Sequence, residues 1–350
     1  MRTPFLLTLL LSEIFIASAV FAGAVRTDGS LGAAGTLGGP NYDIGSSLGQ
    51  IRNNNLFHSF SQFDLSAGDI ATFSGPASIT NIISRITGGS PSSINGTIRS
   101  GISGANLYLL NPSGIVFGPS ASLDVSGSFH ASTADYLQFG PDRFYADSQM
   151  PLPVSISTPD PTAFGFLKAN PAAITVNGSL MTVPQGKSIS LVAGGITISD
   201  ANLWASGGTI NLVSVASPGV VAYDGIGMTP QGFSALGPIT ITEGRAPGVL
   251  PQYNGQYGMY GRIANLDASG QGGGKILIRG GSFYSSGATI YNDTSVDLFI
   301  KYGAGASLTS FKRRIPAYRA GIVAYPLYVG IITGIWASAG SGYARVCEET

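Results

Sequence analysis

Short alternating apolar segments recur along the second half of this chain at close, regular intervals. Ile174-Thr-Val, Ile189-Ser-Leu-Val, Ile196-Thr-Ile, Ile210-Asn-Leu-Val, Ile239-Thr-Ile and Ile276-Leu-Ile each read as a strand, and each is bounded by Gly, Asn, Asp or Pro. Ser188–Val192 (SISLV) and Thr209–Val213 (TINLV) are offset copies, 21 residues apart. Repeats of twenty-odd residues with a few short strands each suit the coils of a parallel β-helix. A β-sandwich also spaces its strands regularly, but its hairpins favour Asn-Gly or Asp-Gly turns and its strands run longer. The spacing predicts an all-β solenoid. Inward Ile, Val and Leu would stack as ladders, and outward Ser, Thr and Asn would remain solvated.

The same logic organises Ala105–Ala131, ANLYLLNPSGIVFGPSASLDVSGSFHA. Leu107, Leu109 and Leu110 precede Asn111-Pro112-Ser113-Gly114, and Ile115, Val116 and Phe117 follow it. Asn at the first position, Pro at the second and Gly at the fourth suit a type I turn. A strand interrupted by a sharp polar corner is how a solenoid passes from one face to the next. Upstream, Leu56–Leu65 sets Phe57, Phe60 and Phe63 among polar residues, and Ile70–Phe73 is another short strand. Ile79, Ile82, Ile83 and Ile86 fit helical spacing, but their β-branching predicts a strand following a corner. The open N-terminal end of a solenoid needs a cap, and the Gly-, Ser- and Asn-rich stretch from Gly29 to Leu65 is placed to supply one.

Composition agrees. The 50 glycines among 350 residues are roughly twice average usage. Only 10% of residues are charged, but 44% are hydrophobic, which argues against disorder. Net charge is zero with no basic stripe, so nucleic acid is excluded as a partner. The single cysteine, Cys347, can neither staple the fold nor form a zinc-binding CxxC pair. Met1–Ala22 reads as a secretory signal peptide: Arg2, an apolar run from Phe5, and Val20-Phe21-Ala22 before Gly23, with Glu13 a departure from the pattern. The last 50 residues differ in kind. Lys301, Lys312, Arg313, Arg314, Arg319, Arg345 and the cysteine fall there, and Ala320–Gly340 is almost continuously apolar. A membrane helix fits that stretch by length, whereas Pro326 and its many Gly and Ala weaken it. The repeat pattern fades near Asp293–Val296, as a truncated or frame-altered end of a longer secreted chain would.

The chemical motifs are sparse. Gly45-Ser46-Ser47-Leu48-Gly49 matches G-x-S-x-G, but a nucleophile elbow needs a strand before it and a helix after it. His58 and His130 are the only histidines and read as packed or surface residues. Gly270–Lys275 is one residue short of a phosphate loop and reads as a turn. Asn95, Asn177 and Asn292 open glycosylation sequons that are equally turns. Asp200, Asp224, Glu243 and Asp267 are scattered, without the paired carboxylates of a calcium-dependent polysaccharide lyase. No catalytic residue, cofactor or metal site is predicted.

Leu56–Leu65 (LFHSFSQFDL), Ile79–Ile98 (ITNIISRITGGSPSSINGTI) and Ala105–Phe129 together resemble the N-terminal secretion domain of filamentous haemagglutinins and related two-partner-secretion exoproteins. The family's NPNGI motif stands here as Asn111-Pro112-Ser113-Gly114-Ile115, and Ser113 for Asn keeps the turn feasible. Ala163–Ser217 is similar to a large-exoprotein subgroup, so the resemblance runs from about Gly29 to Thr294. The family's NPNL motif has no copy; Gly75-Pro76-Ala77-Ser78 shares only its Pro. The resemblance implies a right-handed, single-stranded, pectin-lyase-like parallel β-helix with an N-terminal cap. It divides the chain into a signal peptide (1–22), a secretion domain (23–155), continuing repeats (156–300) and an atypical tail (301–350). It also implies an adhesin-type exoprotein with no enzymatic activity. Such a chain passes by Sec through the periplasm of a Gram-negative-type bacterium to the cell surface or medium. Its implied partners are an outer-membrane β-barrel transporter with periplasmic POTRA-type domains, and host-cell or surface glycans. Asn111, Pro112, Ser113, Gly114 and Ile115 are the recognition or turn motif. Two other readings stay open: a β-helical carbohydrate-active enzyme, and the carrier part of an exported toxin.

Overall fold

The computed structural model describes residues 23–156, 159–223, 227–242, 265–270, 273–286, 290–291, 295–301 and 343–345, with side chains through residue 290. The expected signal peptide (1–22), Asp224, Glu243, Asn292 and the apolar stretch 320–340 with Cys347 lie outside them. Among the described residues no helix is long and apolar enough to cross a membrane.

The chain is a parallel β-helix. Each coil visits three faces in the same order. The first face stacks Asn55–Asp64, Asn81–Ile86, Asn106–Leu110, Phe129–Ser132, Ile189–Ala193, Thr209–Ser214, Lys275–Gly280 and Ser295–Lys301 in parallel. The second face runs from Ser92–Ile94 through Ile115–Phe117, Ala173–Asn177, Gly195–Ser199 and Pro238–Thr242 to Ser282–Ser286. The third comes in two blocks. Asn41–Gly45, Ile70–Ser74, Thr97–Ser100 and Ser122–Asp124 form one; Leu180–Val183, Asn202–Ala205, Leu266–Asp267 and Ile290–Tyr291 form the other. The 21-residue spacing is a true coil, since Ile189 pairs with Ile210 in register. The repeat also continues beyond Val296: Ser295–Lys301 adds a parallel strand to Lys275–Gly280, where the sequence pattern alone had stopped.

Alternation sets the core. On the first face, Leu56, Ile82, Leu107, Phe129, Ile189, Ile210 and Ile276 stand in one register column, all buried and all in one continuous apolar cluster. Period-two geometry sends their neighbours to the opposite side of the sheet. On the second face those outward neighbours are Val116, Thr175, Thr197, Thr240 and Tyr284, half-exposed or exposed.

The expectation that outward Ser, Thr and Asn stay solvated fails on the first face, where Ser190 and Asn211 are buried. There Phe57, Ile83, Tyr108, Leu110, Val192 and Val213 are buried in a second apolar cluster. An outer antiparallel sheet covers them, ordered Asp142–Tyr145, Tyr136–Phe139, Ala163–Phe166, Gly219–Tyr223, Met228–Gln231. Phe139, Phe144, Phe164, Phe166, Val221 and Met228 supply its inner side.

The cap is also shorter than Gly29–Leu65. Asn55–Asp64 already belongs to the first coil, in parallel with Asn81–Ile86, and Asn41–Gly45 pairs in parallel with Ile70–Ser74. What closes the end is antiparallel: Ala24–Thr27 and Gly49–Arg52 both pair with Asn55–Asp64, and Gly35–Thr36 pairs with Ala24–Thr27. These reversals occupy the edge on which a foreign strand would otherwise add.

Candidate functional site

The Asn111 motif sits at the corner between the first and second faces. Gly114 N–H donates to the Asn111 carbonyl at 3.0 Å, closing the four-residue turn. The Asn111 side chain is buried and fully engaged. Its Oδ1 accepts from Ser113 N–H at 2.9 Å, and its Nδ2 donates to Ser90 O and Ser92 Oγ, each at 3.0 Å. Its backbone N–H donates to Ser132 O at 2.9 Å. One asparagine thus ties its own turn to the coil before and the coil after. The side chain closes the turn and binds the earlier coil, which takes both an acceptor and donors, while the backbone N–H binds the later one. Gly114 has φ +116°, strained for any side chain. Ile115 points into the core and pairs with Ser92 and Ile174. Pro112 and Ser113 alone are half-buried.

This corner takes two forms. In the third coil it is the tight Asn111–Gly114 turn, and in the fifth it is Gly194 alone, between Ile189–Ala193 and Gly195–Ser199. In the fourth coil it opens into residues 133–172, and in the sixth into 215–237. Both expansions contribute to the outer sheet.

Two polar assemblies escaped the sequence reading. The first is a clamp on the cap. Arg85, 1% exposed, donates from Nε to Ser59 Oγ at 2.7 Å, from Nη2 to Ser30 Oγ at 3.0 Å and from Nη1 to Tyr145 O at 2.6 Å. Its guanidinium also lies 4.8 Å from the Phe144 ring centroid. Asp28 accepts from Ser59 Oγ, Ser30 Oγ and Thr87 Oγ1 at 2.6, 2.7 and 2.7 Å. Burial pushes the Asp28 carboxyl up, but the hydrogen bonds from Ser59, Ser30 and Thr87 outweigh it and hold the pKa below the ordinary value. The only advance signal was one arginine inside the apolar run ISRIT.

The second is an asparagine ladder. Asn81 Nδ2 donates to Asn55 Oδ1 at 2.9 Å, Asn106 Nδ2 to Asn81 Oδ1 at 3.1 Å, and Ser128 N–H to Asn106 Oδ1 at 3.0 Å. Coil steps of 26, 25 and 22 residues separate these partners. The ladder also holds the chain just before the central strand of the outer sheet: Asn55 Nδ2 donates to Pro159 O at 2.7 Å and Asn81 Nδ2 to Asp160 Oδ1 at 2.9 Å.

The remaining motifs do not converge. Ser47 is exposed on a three-residue 3-10 turn, Ser46–Leu48, with no helix behind it. His58 is fully buried, its Nε2 3.2 Å from Gly45 O, and desolvation lowers its pKa to about 4. His130 stacks on Tyr108 at 4.5 Å with Nδ1 3.0 Å from Ser190 Oγ, and desolvation lowers its pKa to about 3. Both histidines are therefore packed and neutral. In the glycine run, Gly273 N–H donates to Gly270 O at 3.1 Å. Asp200 is an exposed residue after Gly195–Ser199, while the Asp267 carboxylate accepts from Ser269 N–H. Among the described residues no His, Cys, Asp and Glu gather as metal ligands.

With this geometry in place, the match to known families is direct. The model of the TPS secretion domain matches residues 25–234, more than half of the chain. The chain belongs to the TPS secretion-domain family. The matched range ends inside the second expanded corner, after the last strand of the outer sheet, so the TPS domain here takes in the cap, six first-face strands and the outer sheet. Among solved structures, the HMW1 secretion domain from Haemophilus influenzae is similar at 18% identity and a TM-score of 0.45, over 75% of this chain and 55% of that one. The chain therefore spans about half the length of that TPS-domain structure. No curated protein matches it.

Proposed function

We propose that the chain is the secretion module of an adhesin-type exoprotein, exported through a cognate outer-membrane β-barrel whose periplasmic POTRA-type domains recognise it. The family match over residues 25–234 carries this reading. In it, the chain leaves by Sec, crosses the outer membrane before its coils close, and folds on the far side with no enzymatic step. A stack in which each coil rests on the last folds by nearest-neighbour addition. The first coils, fastened by the cap and the Asp28–Arg85 clamp, form the nucleus on which later coils add. Asn111-Pro112-Ser113-Gly114-Ile115 is the segment read during export while the chain is extended, and it becomes the buried corner on folding. Glycans at a host or bacterial surface are the ligands this reading assigns to the exported protein.

Export from a strain given an outer-membrane barrel of the two-partner-secretion type, compared with the same strain without it, tests this. The expected outcome is release of the chain into the medium with that barrel and retention in the periplasm without it. Equal release in both strains overturns the proposal.

A further inference from the structure

We infer that the two expanded corners form a single latch, which closes and opens as one unit over the apolar outer side of the first face. They leave the coil at the same corner, two coils apart, and each is pinned at its own base. Asp135 N–H donates to Gly165 O at 2.9 Å at the first base. At the second, Val215 bridges Leu236, Ala216 N–H donates to Ala235 O, and Ser217 Oγ accepts from Ser234 and Ala235 N–H. The coil ladder runs beneath both without a break, since Phe129 pairs with Ile189 and Ile210 with Ile276. Neither excursion is needed for the coil's own backbone pairing.

The two excursions are joined strand to strand. Ala163–Phe166, the central strand of the outer sheet, pairs with Tyr136–Phe139 from its own excursion and with Gly219–Tyr223 from the second. A two-stranded hairpin is marginal alone, and three or more strands over an apolar face hold. Without the first excursion, Gly219–Tyr223 and Met228–Gln231 are such a hairpin; without the second, the first keeps three strands, but Ala163–Phe166 becomes a bare edge that has lost the Asn170 N–H to Ala216 O bond and the Phe166–Phe233 ring contact. Ring-on-glycine packing reinforces both seams. A Cβ at Gly165 would fall 1.9 Å from the Tyr136 ring, and one at Gly219 would fall 2.7 Å from the Phe233 ring. The latch meets the coil through the second apolar cluster and through the bonds of Asn53, Asn55, Asn81 and Arg85 to residues 145–160. When it lifts, the stripe of Phe57, Ile83, Tyr108, Leu110, Val192 and Val213 meets water.

Hydrogen exchange on the full chain tests this with Gly165→Val on the first excursion and Gly219→Val on the second. In either variant, amides of 136–145, 163–166 and 219–231 should exchange together, at least about tenfold faster than in the parent, while amides of 189–192 and 210–213 keep parental rates. Acceleration confined to the mutated excursion overturns the single latch. Equal loss of protection in the coil strands overturns its separability, and a variant that fails to fold counts as that result.

Discussion

Arg85 and Asp28 meet through two hydroxyls. Ser59 Oγ accepts from Arg85 Nε and donates to Asp28, and Ser30 Oγ does the same from Arg85 Nη2. Four side chains thus close a ring that joins the cap to the first two coils. Arg85 also reaches Tyr145 O on the outer sheet, so one buried cation touches cap, coil and latch.

Arg85→Ala should therefore destabilise the domain by about 3 kcal/mol, because it deletes the charged hydrogen bonds to Ser59, Ser30 and Tyr145 O and empties a buried position. Arg85→Lys should recover little of it, because an ammonium cannot reproduce the planar fork that serves Ser59, Ser30 and Tyr145 at once. Urea denaturation midpoints measure both. An Arg85→Ala variant with the parental midpoint would show that the ring contributes nothing.

Stability should fall as the solution is acidified. His58 and His130 have folded-state pKa values lowered to about 4 and about 3, so the unfolded chain takes up protons first as pH drops below about 6.5. Their stabilisation is complete above that pH. Each then loses roughly 1.4 kcal/mol per pH unit, His58 down to its folded value and His130 one unit further. Asp28, also lowered, adds a loss in the same direction below its ordinary carboxylate range. Between pH 7.5 and 5 the domain should lose about 4 kcal/mol, and His130→Phe should remove close to half of that slope. Denaturation at each pH reads both; a flat profile for the parent would contradict the assignment.

Asn111→Ala should cost about 2–3 kcal/mol, since it deletes the bonds to Ser90, Ser92 and Ser113 and leaves buried groups unpaired. Asn111→Asp should be no better: it keeps the acceptor toward Ser113 but loses both donors and buries a charge. Pro112→Ala touches none of these bonds and should cost under about 1 kcal/mol. Thermal unfolding ranks the three, and Pro112→Ala as damaging as Asn111→Ala would remove the side chain's special place.

Inward and outward columns should respond oppositely to truncation. Leu191→Ala empties a fully buried position and should cost about 2–5 kcal/mol. Thr197→Ala on the half-exposed side of the second face should stay within about 0.5 kcal/mol. Ser84→Ala is the informative third case. Its buried hydroxyl has no partner among the described residues, so its removal should be neutral or stabilising. Chemical denaturation separates the three classes.

Much of this architecture was legible beforehand. The alternation in Ile189–Ala193 and Thr209–Ser214 announced both strands and their 21-residue register, and Asn111–Gly114 announced a corner. The cap's reach was misread because the apolar and polar residues of Leu56–Leu65 look the same in a cap as in a first coil. The clamp and the asparagine ladder were hidden for a different reason. The partners of Arg85 and of the ladder asparagines lie 22 to 104 residues apart, and a lone Arg or Asn in a strand carries no mark of what will face it.

Sequence by itself determined the solenoid, because a two-residue period and a near-constant coil length depend only on local backbone geometry and on burying every second side chain. It also determined the family, through the order of its motifs. Tertiary structure decided what lies outside the coil. Ile83, Tyr108 and Leu110 read in the chain as parts of apolar runs and Phe57 as an aromatic among polar residues, and neither pattern says whether an outward member will be covered. Their cover comes from residues 136–166 and 219–231, and those meet only because coil stacking brings two expanded corners to the same edge.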